Sequence, residues 1–390
     1  MAVTGRIQHG TILGLVVVGV LVLASIPFLV ITLVRYAGVV FAPPQPMDYV
    51  APTSRLVLQK HKTLLGKPFA EITRIAVGRF THGHGIETGV FSFSSAVFLD
   101  THDSVRSKFG FPPCTMKPVD LPGDDSCSYL CCDLPVAKVL DHTGKVIWRY
   151  RRPGSTDDWL VKDISAGDLN GDGQHAFAIS YSSFDVKHKD ELHLVNPTGK
   201  LLWMRPLERI GFVEMQDIDG DGKPEILCQS GRTVIVWNST GEQLFTKNIL
   251  RDVPSNFLYR NPEGEWSVIS ADDNTIQLSA LMRDHVTHCY LPKHGYLTSY
   301  RDDLTITMVR LNPRHQAYLA VLAHQEESDK DRTSLYIFDD RRALVYTEDF
   351  PDTYIALAAV PSGKSGAEDL LVGIHGGVMR YTFEKEVPLQ

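Results

Sequence analysis

The chain has 390 residues, 43% of them hydrophobic, enough for one large repeat fold or two ordinary domains with a sizeable core. The formal net charge of −7 argues against nucleic acid as a partner, because phosphate binding needs a basic surface. No part of the body is biased enough in composition to suggest long disorder.

Residues 1–10 form a short tail, and Thr11 to Val34 follows as 24 residues without a charge. About 20 apolar residues cross a bilayer as a helix, and Pro27 is tolerable within one. The stretch is longer than a signal-peptide core and no Ala-x-Ala site follows. A retained single-pass transmembrane helix at 11–34 is therefore expected. Arg6 before it and Arg35 after it balance, so charge does not choose its orientation. Residues 35–53 carry Pro43, Pro44, Pro46 and Pro52 and read as an extended linker.

From 54 to 390 short Val/Ile/Leu/Tyr runs alternate with Gly, Asp, Asn and Pro, the pattern of many short strands. Cys114, Cys127, Cys131 and Cys132 cluster in what reads as an insertion at 110–135. Disulfides in an oxidising compartment are the first reading, with free thiols and a metal site as alternatives. The spacing fits neither a zinc ribbon nor a finger.

A repeat then appears in VLDHTGKVIW (139–148), LVNPTGKLLW (194–203) and VWNSTGEQLF (236–245), with a weaker copy, IFDDRRALVY, at 337–346. In each, Asp or Asn begins a turn and an aromatic closes the following strand, which describes a β-hairpin. Asp100 after SAVFL begins another unit. TIQLSALM (275–282) with VTHCYL (286–291), and GVMRYTF (377–383), complete the series. About seven units near 45 residues each make an all-β fold, a β-propeller of about seven blades with four antiparallel strands apiece.

Two acidic loops sit upstream of these hairpins. One is Asp168-Leu-Asn170-Gly-Asp172-Gly173, and the other is Asp217-Ile-Asp219-Gly-Asp221-Gly222-Lys223-Pro-Glu225, 49 residues on. Oxygen side chains at alternate positions wrap a loop around a hard cation, and calcium takes six to eight such ligands. An EF-hand needs a Glu late in the loop, where Ile179 and Cys228 stand instead. The stretches 77–91 and 359–373 match the same frame without the ligands. His82 and His84 read as a decayed loop. Gly363-Lys364-Ser365 is not a phosphate loop, since Ala358 occupies the place of its first glycine. No nucleophile elbow or zinc-protease motif appears. Asn238-Ser-Thr240 is an N-glycosylation sequon at an expected hairpin turn.

At DLNGDGQHAFAI and DIDGDGKPEIL the chain resembles the FG-GAP/VCBS repeat family, which includes the integrin α-subunit type of propeller. The resemblance is strong over 168–178 and 217–227, fair over the hairpins from 139 to 245, and weak elsewhere. It implies structural calcium held by Asp217, Asp219, Asp221, the Lys223 carbonyl and Glu225. The first loop offers Asp168, Asn170, Asp172 and the Gln174 carbonyl, but Ala176 stands where the second has Glu225. The hairpins are also similar to the Thr-Gly-Lys-x-x-Trp repeats of pyrroloquinoline-quinone propellers, with Trp148 and Trp203 expected to pack between blades.

Together these features describe a membrane-anchored propeller outside the cytoplasm, where calcium is plentiful and thiols oxidise. It is expected to bind a protein or glycan through its loops. The alternatives are a propeller enzyme, such as a quinone-dependent dehydrogenase or a polysaccharide lyase or hydrolase, and an accessory subunit beside other membrane subunits.

Overall fold

Alternating apolar and polar residues between closely spaced turns leave the chain little choice but short antiparallel hairpins. A computed structural model describes residues 50–388 except 66–71, 79, 81–85, 93–94, 111–114, 120–127, 134, 155–157, 186, 251–257, 261–263, 273–274, 292–303, 312–316, 327–330, 351–355, 363–365 and 375–376. Its 28 strands form seven sheets of four strands each, the blades of a propeller. The first strands of the blades, nearest the axis, are Ile72–Gly78, Thr115–Val119, Trp159–Gly167, Ile210–Gln216, Leu258–Arg260, Leu304–Val309 and Ala356–Pro361.

Blades one to six take their strands in chain order. Blade seven runs Ala356–Pro361, Glu368–Ile374 and Gly377–Pro388, and its outermost strand is Ser54–Leu65 from the other end of the fold. That pairing is antiparallel, from Ser54 opposite Pro388 to Leu65 opposite Val378. It closes the ring without leaving a first or last blade unpaired.

The core is a set of layers between blades. Seven apolar clusters lie among the described residues, each joining two neighbouring blades. Between blades one and two, Phe80, Phe91, Phe98 and Tyr129 are fully buried and stack or meet edge-on at 5.1–6.3 Å. Burying each such ring is worth about 1.5–3 kcal/mol. The repeat tryptophans do pack between blades: Trp148 of blade two stacks on Phe177 of blade three at 4.1 Å. Trp203 of blade three lies 6.4 Å from Trp237 of blade four and donates from Nε1 to the Ser239 carbonyl.

The hairpin motif has one cause in all five copies. The side-chain oxygen of Asp100, Asp141, Asn196, Asn238 or Asp339 accepts hydrogen bonds from the backbone two and four residues on. This side-chain turn fixes a β-bulge in the strand after it. The fourth residue takes positive φ, and three copies place Gly there: Gly144, Gly199 and Gly241. Asp103 (φ 65°) and Arg342 (φ 70°) adopt it without that freedom.

Three expectations change or fall outside what the structure describes. The segment 110–135 is not an insertion: Thr115–Val119 and Ser128–Asp133 are the first two strands of blade two. The thiol of Cys132 is free rather than disulfide-bonded, while Cys114 and Cys127 lie outside the described residues. Neighbouring strand residues point to opposite sheet faces, which separates Cys132 from the buried Cys131. The expected transmembrane helix at 11–34 and most of the linker also lie outside them. Among the described residues no helix is long and apolar enough to cross a membrane.

Candidate metal centre

The two acidic loops occupy the same place in adjacent blades. Residues 168–175 join the first and second strands of blade three, and 217–224 join those of blade four. The apolar second residue of each, Leu169 or Ile218, is buried and anchors the loop in an interblade cluster. The glycines that follow, Gly171 and Gly173 or Gly220 and Gly222, all take φ between 71° and 85°, which turns the oxygens inward. Blade five holds the second loop from outside, since Trp266 donates from Nε1 to the Asp217 carbonyl at 3.1 Å. The loops adjoin, because Pro224 lies over Gly167, where a Cβ would come within 3.0 Å of its Cγ.

The oxygens of the two loops are used differently. In the first, Asp168 Oδ1 accepts from the backbone of Asn170, Gly171 and Asp172, and Oδ2 accepts from Gly173. Those donors, the Gly173 amide foremost, hold the Asp168 carboxyl below its ordinary range. Three donors crowd Oδ1 and leave it no lone pair for a cation, while Oδ2 takes only one. Asp172 accepts from the Gln174 amide, and Ala176 is a buried apolar residue that supplies nothing.

The second loop keeps acceptors in reserve. Asp217 takes one backbone donor on each oxygen, from Gly220 and Gly222. Asp219 and Asp221 each take one, from the amides of Asp221 and Lys223. Glu225 is 6% exposed and accepts from the Ile218 amide at 3.0 Å. Oxygens of Asp217, Asp219 and Glu225 lie within 4.8 Å of one another. Burial, and then the charges of Asp219 and Asp221, push the Glu225 carboxyl above its ordinary range. Crowded carboxylates with spare lone pairs are chemically suited to a hard divalent cation. Asp221 stands outside the group of three that converges.

Solved structures share the architecture. BBS1N in complex with ARL6DN aligns over 87% of this chain and 100% of that one, with a TM-score of 0.56 at 10% identity. Catalytically inactive virginiamycin B lyase from Staphylococcus aureus with quinupristin aligns over 83% and 99%, with a TM-score of 0.53 at 10% identity. The Pan2 WD40 domain of Neurospora crassa gives 86% and 98%, at a TM-score of 0.51 and 10% identity. No protein-family model and no curated protein matches the sequence. At these identities the likeness establishes the propeller fold and nothing finer.

Two polar assemblies escape sequence reading because their members lie far apart in the chain. Arg152 grips Glu191 with two hydrogen bonds (2.6 and 2.7 Å) and lies over Trp159 at 3.9 Å. Glu191 meets His193 Nε2 at 2.8 Å, and His193 Nδ1 meets the Tyr150 hydroxyl at 3.0 Å. Burial lowers the His193 pKa, so the neutral ring donates from Nε2 to Glu191 and accepts from Tyr150. His193 is 2% exposed, so this array seals blades two and three together and is closed to a substrate. The second assembly joins first strands. Lys117 of blade two pairs with Glu214 of blade four, whose other oxygen accepts from Ser165 of blade three at 3.1 Å.

The sequon residue Asn238 spends its Oδ1 on Thr240 and Glu242, and its Nδ2 donates to Glu242 at 3.3 Å. His82 and His84 lie outside the described residues.

Proposed function

We propose that this chain is a calcium-stabilised, membrane-anchored propeller, exposed outside the cytoplasm, that binds a protein or glycan partner through its loops. The observation that carries the reading is the convergence of Asp217, Asp219 and Glu225 within 4.8 Å around unused lone pairs. The carbonyl of Lys223 and the carboxylate of Asp221 complete the oxygen set that the family resemblance implies. The role of the ion is structural: it neutralises the crowded carboxylates and fixes the loop that Trp266 clamps from blade five. The first loop, with Ala176 in place of a ligand and three amides crowding Asp168 Oδ1, is the poorer metal loop.

Membrane attachment rests on the uncharged segment 11–34. The interaction role is supported by the architecture, since BBS1N, a propeller of similar fold, is seen in complex with ARL6DN. The test is thermal unfolding of the full-length protein in detergent, with calcium and with chelator. Ligand at about a hundred times its Kd stabilises by about 2.7 kcal/mol. Calcium is expected to raise the Tm of the wild type and leave Asp219→Ala unmoved. A wild type that ignores calcium while well folded overturns the metal reading.

A further inference from the structure

The exposed apolar side chains of this propeller gather along one rim. Val105, Val146, Ile147, Leu202, Leu244 and Val286 are 45–57% exposed, and each is the first or second residue of the fourth strand of its blade, in blades one to five. Antiparallel order puts the start of every fourth strand on the side of the loops between first and second strands. These residues therefore line one side of five consecutive blades. Apolar residues exposed singly are ordinary, whereas a row of them marks an interaction surface. In blade three the row runs on down the strand to Met204, 39% exposed. The outer strands adjoin their neighbours. Trp148 of blade two stacks on Phe177 of blade three, and Trp203 and Arg205 of blade three donate to the Ser239 and Gly241 carbonyls in the turn of blade four.

Two further observations bear on what covers this rim. The stretches 145–152 and 200–207, which hold the fourth strands of blades two and three, carry Lys145, Arg149, Arg151, Arg152, Lys200 and Arg205 and no acid, in a chain of net charge −7. Arg152 is held by Glu191, and in blade four Glu242 and Lys247 balance. Lys145, Arg149 and Lys200 are exposed. The second observation is the path of the chain. Ser54 opens the outermost strand of blade seven opposite Pro388, the end of that blade's third strand, so the chain enters the propeller on the same side as the row. Residues 35–49, between the uncharged segment and the described propeller, reach at most about 50 Å. A tether that joins on this side favours turning this side to the bilayer. The acidic loops of blades three and four open here too, but they follow first strands, nearest the axis, while the bases stand on the outermost strands.

We propose that this rim, centred on the fourth strands of blades two to four, lies against a lipid bilayer that carries anionic headgroups. Its apolar side chains enter the interface, and Lys145, Arg149 and Lys200 pair with lipid phosphates. This orientation rests on the membrane attachment proposed above.

The experiment places the full-length protein in lipid nanodiscs of equal parts phosphatidylglycerol and phosphatidylcholine. Maleimide labelling is read by mass spectrometry at Leu202→Cys, and at Phe184→Cys, which replaces a 64% exposed residue on the opposite side of blade three. Both variants are also labelled in detergent. Leu202→Cys is expected to react at least about fivefold more slowly in discs than in detergent, the factor that one basic side chain supplies at an anionic surface. Phe184→Cys should react alike in both. Combining Lys145→Gln, Arg149→Gln and Lys200→Gln should restore the Leu202→Cys rate, with folding checked by circular dichroism. Leu202→Cys as reactive in discs as in detergent overturns the proposal alone. Slow labelling in both media assigns the rim to a protein and overturns it too, as does protection that survives the three substitutions. A chain that does not elute with the discs overturns the attachment itself, and this orientation with it.

Discussion

Replacing Asn238 separates the turn chemistry of this fold from every other role of that residue. Its Oδ1 accepts from the Thr240 amide at 3.1 Å, the Thr240 hydroxyl at 2.7 Å and the Glu242 amide at 2.9 Å. Blade three leans on the same turn, with Trp203 donating to the Ser239 carbonyl and Arg205 to the Gly241 carbonyl. A hydrogen bond of this kind contributes about 0.5–1.5 kcal/mol net. The three share one acceptor and are partly exposed, so Asn238→Ala should cost about 1–3 kcal/mol rather than their full sum. At about 2 °C per kcal/mol or slightly less for a domain of this size, the Tm falls by roughly 2–5 °C. Asn238→Asp keeps the acceptor, as Asp100, Asp141 and Asp339 do in sibling turns. It should lie within about 0.5 kcal/mol of wild type. Urea unfolding of the full-length protein reads both variants. If Asp fails as badly as Ala, the acceptor argument is wrong and the amide nitrogen, or a glycan on it, carries the effect.

Other outcomes follow from the same structure. Glu225→Gln keeps an acceptor for Ile218 and removes a charge crowded by Asp219 and Asp221, each such repulsion being worth roughly 1 kcal/mol where water screens it. It should therefore raise the Tm slightly in chelator yet fall below wild type in calcium, and a loss of equal size in both conditions would refute the crossover. The folded-state pKa of His193 is lowered, first by burial. Below its ordinary value of about 6.5 the unfolded chain binds a proton that the folded chain refuses, so stability should fall from about pH 7 towards pH 5. His175, lowered by burial too, adds to the same window, and His193→Gln should flatten part of the slope in chemical unfolding followed against pH. Arg342 holds φ at 70° and buries an Nη1 without a partner among the described residues, so Arg342→Gly should stabilise by up to about 1 kcal/mol. A lower midpoint in urea would show that its side chain contributes more than its backbone costs.

The parts of this molecule that sequence discloses are those decided locally. The Asp/Asn turn and its positive-φ residue act within five residues, so the repeat at 139–148, 194–203 and 236–245 maps directly onto hairpins of three blades. The frames at 77–91 and 359–373, though empty of ligands, fall as expected between the first and second strands of blades one and seven. Local composition misleads at 110–135, where clustered Cys, Pro and Gly mask two ordinary strands of blade two. The pairing of Ser54–Leu65 with Gly377–Pro388 joins segments more than 300 residues apart, and no periodicity encodes that register. The Arg152–Glu191–His193–Tyr150 array has the same origin, with two blades each contributing residues that look unremarkable alone. The contrast between the acidic loops was half legible. Ala176 in place of Glu225 marks the first as deficient, while the crowding of three amides onto Asp168 Oδ1 emerges only in three dimensions.

Calcium stoichiometry tests the central claim most directly. Calorimetric titration of the metal-free, full-length protein should give one site per chain, lost in Glu225→Gln and kept in Asp168→Asn. A wild type that takes up no calcium, or a site that survives Glu225→Gln, would contradict the assignment of the second loop as a metal centre.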